Sequence, residues 1–261
     1  MDSTYWYKQT DKPLFPDIVW SKPENRNHAG KLLIIGGNAH GFASVAEAYN
    51  ASMSAGLGTG HVLLPNAIQS AVGPVLEGAD FAPSTPSGSF GKQALGDMVR
   101  EAAWADAVLL SGDMGRNSET AVVLESFASK YSGPLCITKD AADYFTTTPN
   151  TLHERQQTLL VISIAQLQRI AILLREPNPI TFEMGLVQLV DWLHAFSLRH
   201  PIGIIVHHAG AYCVALAGKV STTKSNLGTD DTWRVQTAAK ATVWWLQNPQ
   251  KPFEALTVSL V

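Results

Sequence analysis

The sequence has little of several things, and each scarcity removes a class of protein. There are only two cysteines, Cys136 and Cys213. Each sits inside an apolar, strand-like run, so a disulfide framework is not indicated and buried, reduced thiols are expected. No Cys/His spacing of the zinc-binding kind occurs. Charged residues make up 16% of the chain and the formal net charge is −3. With no basic block and no Lys/Arg-striped helix, nucleic acid is not an expected partner. No run approaches the ~20 apolar residues needed to span a bilayer, and Met1–Pro16 lacks an apolar signal core, so a cytoplasmic protein is expected. Low-complexity linkers and internal repeats are absent too.

What remains is a hydrophobic content of 46% over 261 residues. That is enough to bury one large core. Residues 1–30 show no clear period and carry Pro13, Pro16 and Pro23, which reads as an N-terminal arm. Trp6, Phe15 and Trp20 predict that it docks on the surface. Residues 31–261 read as a single α/β domain.

From Lys31 onward, short apolar runs alternate with helical patterns. Strands are predicted at Leu32–Ile35, Val62–Leu64, Ala107–Leu110, Leu135–Ile137, Leu159–Ile164, Ile204–Val206 and Tyr212–Leu216. Helices are predicted at Ser44–Ala55, Gln93–Ala105, Ala165–Leu174 and Asp231–Leu246, with another from Phe253. Ser118 is expected to cap a helix to Tyr131, and Thr181 to open one running to about Arg199. Continuous apolar strands alternating with helices predict a largely parallel sheet covered on both faces. A turn at Gly218-Lys219 after Tyr212–Leu216 predicts an antiparallel edge.

Ligands of open α/β sheets bind beyond the carboxyl ends of the strands, so the Gly-rich strand-to-helix turns are the places to search. Gly36-Gly37-Asn38 follows the first predicted strand. The dinucleotide fingerprint and the Walker loop are both missing there, so alone it is a tight turn. Ser111-Gly112-Asp113-Met114-Gly115-Arg116 ends a buried strand; it is either a ligand cradle or a plain connection. Leu227-Gly228-Thr229-Asp230-Asp231 opens the late helix. Amides at a helix start bind anions, and a carboxylate beside them can take a proton from a hydroxyl as phosphate transfers to it. Acidic capping is the plainer reading. His207 and His208 end a strand and face opposite sides, so they cannot easily chelate one ion. No Gly-x-Ser-x-Gly nucleophile elbow occurs.

The stretch Lys31-Leu-Leu-Ile-Ile-Gly-Gly37, followed by Ala51-Ser-Met-Ser-Ala-Gly56-Leu-Gly58 and an apolar strand, resembles the opening of the ADP/ATP-dependent NAD(P)H-hydrate dehydratases of the ribokinase-like superfamily. Ala107–Arg116 is similar to that family's strand and G-P-G-L-G loop, and Leu227–Asp231 stands where the family carries G-G-[ST]-G-D. The resemblance implies a three-layer αβα sandwich and the repair of hydrated NADH or NADPH, with ADP or ATP and Mg²⁺ as cofactors. It implies a small hydroxyl-bearing substrate and a homo-oligomer. It puts the catalytic role on Asp231 and the anion-binding backbone on Gly228, Thr229 and Asp230. The substrate loops would be Gly36, Gly37, Asn38, Gly112, Asp113 and Gly115, and the adenine-nucleotide side would include His207 and His208.

Departures from the family's pattern are specific. Leu227 and Asp230 replace glycines, and Ser111, Gly112 and Asp113 stand for Gly-Pro-Gly. Val206-His207-His208 stands where the family has Leu-Lys-Gly, and Ile162–Gln166 where it has a His-containing segment. Thr138-Lys139-Asp140 keeps one acid of a D-A-D segment. A helix start favours an anion by about 0.3–1 kcal/mol, whereas like charges about 4 Å apart repel by about 4 kcal/mol at an effective dielectric of about 20. Asp230 is therefore compatible with three arrangements: an outward cap, a Mg²⁺ ligand, or a site that does not transfer phosphate. Two alternatives to the repair enzyme accompany these: a catalytically silent relative that binds a nucleotide or a protein partner, and a small-molecule kinase using Asp231 as base.

Overall fold

The computed structural model describes residues 4–72, 78–146, 149–225 and 233–261. Its elements in chain order are β1 (Trp6–Gln9), α1 (Pro16–Trp20), β2 (Lys31–Gly36), α2 (Ala43–Ser54), β3 (Thr59–Pro65), α3 (Gln69–Val72), β4 (Ala79–Ala82) and α4 (Ala94–Ala102). There follow β5 (Ala107–Gly112), α5 (Ser118–Lys130), β6 (Leu135–Thr138), α6 (Lys139–Phe145), α7 (Pro149–His153), β7 (Thr158–Ile162) and α8 (Ile164–Leu173). The last third holds α9 (Leu186–Arg199), β8 (Ile202–His208), β9 (Ala211–Leu216), β10 (Lys219–Lys224), α10 (Trp233–Gln247) and α11 (Pro252–Val258).

The strands form one sheet in the order β1-β10-β9-β8-β7-β6-β5-β2-β3-β4. All neighbours are parallel except where β9 meets β8 and β10, so β9 alone runs against the rest. Strand runs such as Leu32–Ile35 and Ala107–Leu110 are fully buried because helices cover both faces. Leu33, Leu63, Leu110, Ile137 and Ile204 pack on one face against α4, α5, α6, α8 and α9. Leu32, Ile34, Leu109, Val161 and Ile205 pack on the other against α2, α10 and α11. The result is the three-layer α/β sandwich expected, mostly parallel, with its antiparallel strand towards one end. Both cysteines are buried and free, and burial pushes each thiol up to about 12. Among the described residues no helix is long and apolar enough to cross a membrane.

The segment read as an arm contributes a strand. Trp6–Gln9 of β1 pairs parallel with Val220–Thr223 of β10. The tight Ala217-Gly218 turn that precedes β10 puts both residues at positive φ, the geometry of a two-residue hairpin. Lys219, read as part of this turn, instead begins the strand. Phe15 packs among Tyr7 and Phe253, whereas Trp20 stays 87% exposed.

Two helix starts differ from expectation. Asn117, not Ser118, caps α5, because its Oδ1 accepts from the amides of Glu119 and Thr120. The α9 helix begins at Leu186 rather than Thr181, where Gln188 Oε1 accepts from the Gly185 amide at 3.0 Å. Ser163 and Gln166 form a reciprocal capping box at the start of α8, which ends β7 two residues before the predicted Ile164.

Gln9 shows how tightly the first strand is held. Its side chain is buried; Nε2 donates to Thr223 Oγ1 (3.1 Å) and to the Thr257 carbonyl (2.6 Å), and Oε1 accepts from the Leu14 amide (3.0 Å). Truncation strands three partners, two of them on the buried Thr223 and Thr257. Gln9→Ala is expected to lower folding free energy by about 1–3 kcal/mol in urea unfolding followed by circular dichroism. A change below ~0.5 kcal/mol, the level typical of surface substitutions, would show that β1 is an ornament on the sheet.

Candidate functional site at the switch point of the sheet

From β2 the chain runs outward through β3 and β4. It then returns to the other side of β2 and proceeds through β5, β6, β7 and β8. Strand order therefore reverses between β2 and β5. The connections after these two strands leave in opposite directions and open a crevice beyond their carboxyl ends. A cleft of about 630 Å³ lies there, lined by Asn38 after β2, by Asp113, Gly115 and Arg116 after β5, and by Asp140, Asp143 and Tyr144 on α6.

The floor of the cleft is a close backbone crossing. The Gly37 amide donates to the Gly112 carbonyl at 3.0 Å, and the register of β2 against β5 shifts at Ile35/Gly36. A Cβ on Gly36 would lie 2.6 Å from both the Gly112 carbonyl and Ser111 Oγ. Gly112 itself has φ +106, and a Cβ there would meet Lys139 Cβ at 2.8 Å. Asn38 Nδ2 donates to the Asp113 carbonyl at 2.6 Å, tying the two loops together. The structure thus brings Gly36, Gly37, Asn38, Gly112, Asp113 and Gly115 to one place.

Asp113, at φ 56, is held from two directions. Its Oδ2 accepts from the Ser44 amide in the first turn of α2 at 2.7 Å, where the helix dipole favours a carboxylate. Its Oδ1 faces Lys139 Nζ at 3.4 Å, and that ammonium also donates to Ser44 Oγ at 2.6 Å. Asp140 Oδ2 accepts from the Met114 amide at 2.9 Å, while its Oδ1 is buried without a hydrogen bond. Burial first, and then the neighbouring Asp113, push the Asp140 carboxyl above its ordinary range.

The far wall is a hydrogen-bonded chain. Asp143 Oδ1 accepts from Arg169 Nη2 (2.6 Å) and Gln166 Nε2 (2.9 Å), and Gln166 Oε1 accepts from Arg234 Nη1 (3.1 Å). Tyr144 OH donates to the Gly115 carbonyl at 2.6 Å. Arg234 is the second residue of α10, so this chain ties the start of that helix to the cleft wall. Gly228, Thr229, Asp230 and Asp231 lie outside the described residues.

His207 and His208 stand at the end of β8, three strands from β5, and do not line the cleft. They face opposite ways. His208 Nε2 approaches the Met184 carbonyl at 2.7 Å, whereas His207 packs against the rings of Tyr212 and Trp233. Burial, then His208, lower the His207 pKa, and its Nε2 is buried with no hydrogen bond. Sequence reasoning did not single out Asp143, Tyr144 or Asn117. Asp140, Asp143 and Tyr144 share i, i+3, i+4 spacing in Lys139–Phe145, a signal visible only once that short segment is taken as helix.

No family model matches the chain, and no curated protein matches it in sequence. Solved structures do match it. A ribokinase-like superfamily protein of Enterococcus faecalis superposes with a TM-score of 0.74 at 14% identity, covering 100% of this chain and 87% of that one. The fold is ribokinase-like. The ADP/ATP-dependent NAD(P)H-hydrate dehydratase of Bacillus subtilis, co-crystallized with ATP/Mg²⁺, aligns with a TM-score of 0.63 at 12% identity over 96% of this chain and 86% of that one. A phosphomethylpyrimidine kinase of Clostridium difficile gives 0.56 at 11%, over 88% and 96%. Superpositions at identities this low establish the ribokinase-like architecture, not the reaction.

Two outcomes test the site's construction. Gly36→Ala is expected to destabilise the fold by about 1–3 kcal/mol through overpacking, measured by chemical unfolding; a neutral result contradicts the close crossing. Asp140 holds its proton more tightly folded than unfolded. Its contribution is therefore fully present below the ordinary carboxylate range and is lost as pH rises through the raised value. Asp140→Asn should melt above the wild type at neutral pH, with the gap narrowing as pH falls into the carboxylate range. Calorimetry at both pH values checks this, and a gap independent of pH contradicts it.

Proposed function

We propose that the chain is a divergent ADP/ATP-dependent NAD(P)H-hydrate dehydratase, an enzyme that phosphorylates the hydroxyl of hydrated NADH or NADPH and then releases phosphate to restore the cofactor. The observation that carries this reading is the Asp143–Gln166–Arg234 chain, which fastens the first described turn of α10 to the wall of the switch-point cleft. Asp231 precedes Arg234 by three positions in the sequence.

The residues present suit a nucleotide and its metal. Asp113 and Asp140 offer oxygen donors of the kind Mg²⁺ takes, one of them an orphaned buried oxygen. Asp230 is a further candidate ligand. The resemblance puts the adenine-nucleotide side at His207 and His208, three strands from β5 and outside the cleft lining. Bound ATP or ADP would supply the phosphoryl group. Asp231 would take the proton of the substrate hydroxyl, and the amides of Gly228, Thr229 and Asp230 would hold the phosphoryl oxygens. Asn38 and Asp113 would orient the substrate's hydroxyls, as amide and carboxylate groups do.

A second reading is supported by Lys139. Its ammonium spans from the end of β6 to Ser44 and Asp113, neutralising the carboxylate on the cleft floor. A chain that has lost phosphoryl transfer but keeps a nucleotide or a partner in the cleft would tolerate that arrangement.

Incubation with hydrated NADPH and ADP or ATP is expected to regenerate the reduced-nicotinamide absorbance, and Asp231→Asn to reduce the rate by at least ~10²-fold, the range for losing a general base. Unchanged turnover in the variant removes Asp231 from the mechanism. No turnover, with a nucleotide-dependent thermal shift, favours the silent relative; phosphate transfer to other small alcohols without NADPH recovery favours a kinase.

A further inference from the structure

On the amino-end half of the sheet, away from the cleft, three potential ligands converge from separate elements. His61 on β3, Asp80 on β4 and Glu101 on α4 each place one ligand atom within 4.8 Å of the others. Their placement follows from the sheet. Leu63 pairs with Asp80 across the parallel ladder, and His61, two residues earlier, shares that face. This is the face on which Leu33, Leu63 and the α4 residues Met98 and Ala102 form the core, so Glu101 descends onto it from the helix layer.

We propose that His61, Asp80 and Glu101 form a binding site for a first-row divalent transition metal of the zinc type, clamping the terminal strand β4 and helix α4 to β3. Three observations support it. The His61 ring is fixed, lying against Trp104 with centroids 3.9 Å apart and planes 12° from parallel. Its Nδ1 is shielded from water yet has no hydrogen-bond partner. The Asp80 carboxylate takes no hydrogen bond or ion pair among the described residues, and the cation on Glu101 is the exposed Arg100, at 3.1 Å. Two carboxylates and an imidazole therefore face one another, with the Arg100 counter-charge on their rim shared with Asp97. One imidazole with two carboxylates suits zinc and its first-row neighbours better than Mg²⁺ or Ca²⁺, which prefer oxygen alone. Metal–ligand bonds of about 2 Å put tetrahedral ligand atoms about 3.3 Å apart, so the span closes by small side-chain rotations. Three protein ligands leave at least one position for water. The site is separate from the cleft and does not rest on the repair-enzyme reading.

Calorimetric titration of the full chain, freed of metal by chelator, with Zn²⁺ alone tests the proposal. One equivalent is expected to bind and to raise the melting temperature. Asp80→Asn and Glu101→Gln, both at positions that leave the core intact, should each weaken binding by at least about tenfold while retaining the wild-type circular dichroism. His153→Gln should leave the affinity unchanged, although His153 and His200 bring two ring nitrogens within 3.0 Å elsewhere on the surface. Co²⁺ substitution should give visible absorption bands that Asp80→Asn removes. The proposal is overturned if the wild type binds no Zn²⁺ equivalent, or if the Asp80 and Glu101 variants bind as the wild type does.

Discussion

The contact on which the site depends is the crossing of two backbones, where the Gly37 amide meets the Gly112 carbonyl. Strands β2 and β5 are adjacent there, and their following loops must part in opposite directions. A side chain at Gly36 would press on the carbonyl below it and hold the two strand ends apart. Because only hydrogen fills that space, the Asn38 and Asp113 loops can be joined by one amide-to-carbonyl bond. The cleft is thus a consequence of sheet topology and of the smallest residue at two positions, before any polar group is considered.

The polar groups then set the character of the floor. A helix start and an ammonium share Asp113, while Asp140 has one backbone amide, one orphaned oxygen and a carboxylate neighbour. Two acids in one cleft, one bound by an amide and an ammonium and one pushed towards its neutral form, present different hydrogen-bonding groups to the same ligand. The arrangement offers a small molecule polar groups of more than one kind.

Much of the architecture was legible because the strands that build the sheet's centre are buried on both faces. Leu32–Ile35, Ala107–Leu110 and Leu159–Val161 announce themselves as unbroken apolar runs. Trp6–Gln9 does not, since it mixes aromatic and polar residues and its partner lies more than two hundred positions away, at Val220–Thr223. Ala79–Ala82 is too short to show a period. In the site, Asn38, Asp113 and Gly115 were legible from glycine-rich turns after apolar strands. Asp143 and Tyr144 were not, because α6 is brief, lacks a side-chain cap and starts from a left-handed Lys139. The Ser118 and Thr181 helix starts failed for a related reason: hydroxyl residues propose a cap, and only the amides they reach decide it.

The central claim is that this switch-point cleft, with the start of α10 fastened to its wall, receives the phosphates of an adenine nucleotide. The most direct measurement is a crystal structure of the chain soaked with ATP and Mg²⁺. The account predicts phosphate density between the Asp113–Asp140 floor and residues Gly228–Asp231. Well-ordered crystals showing that corner filled by protein side chains, or nucleotide density only elsewhere on the molecule, would contradict it.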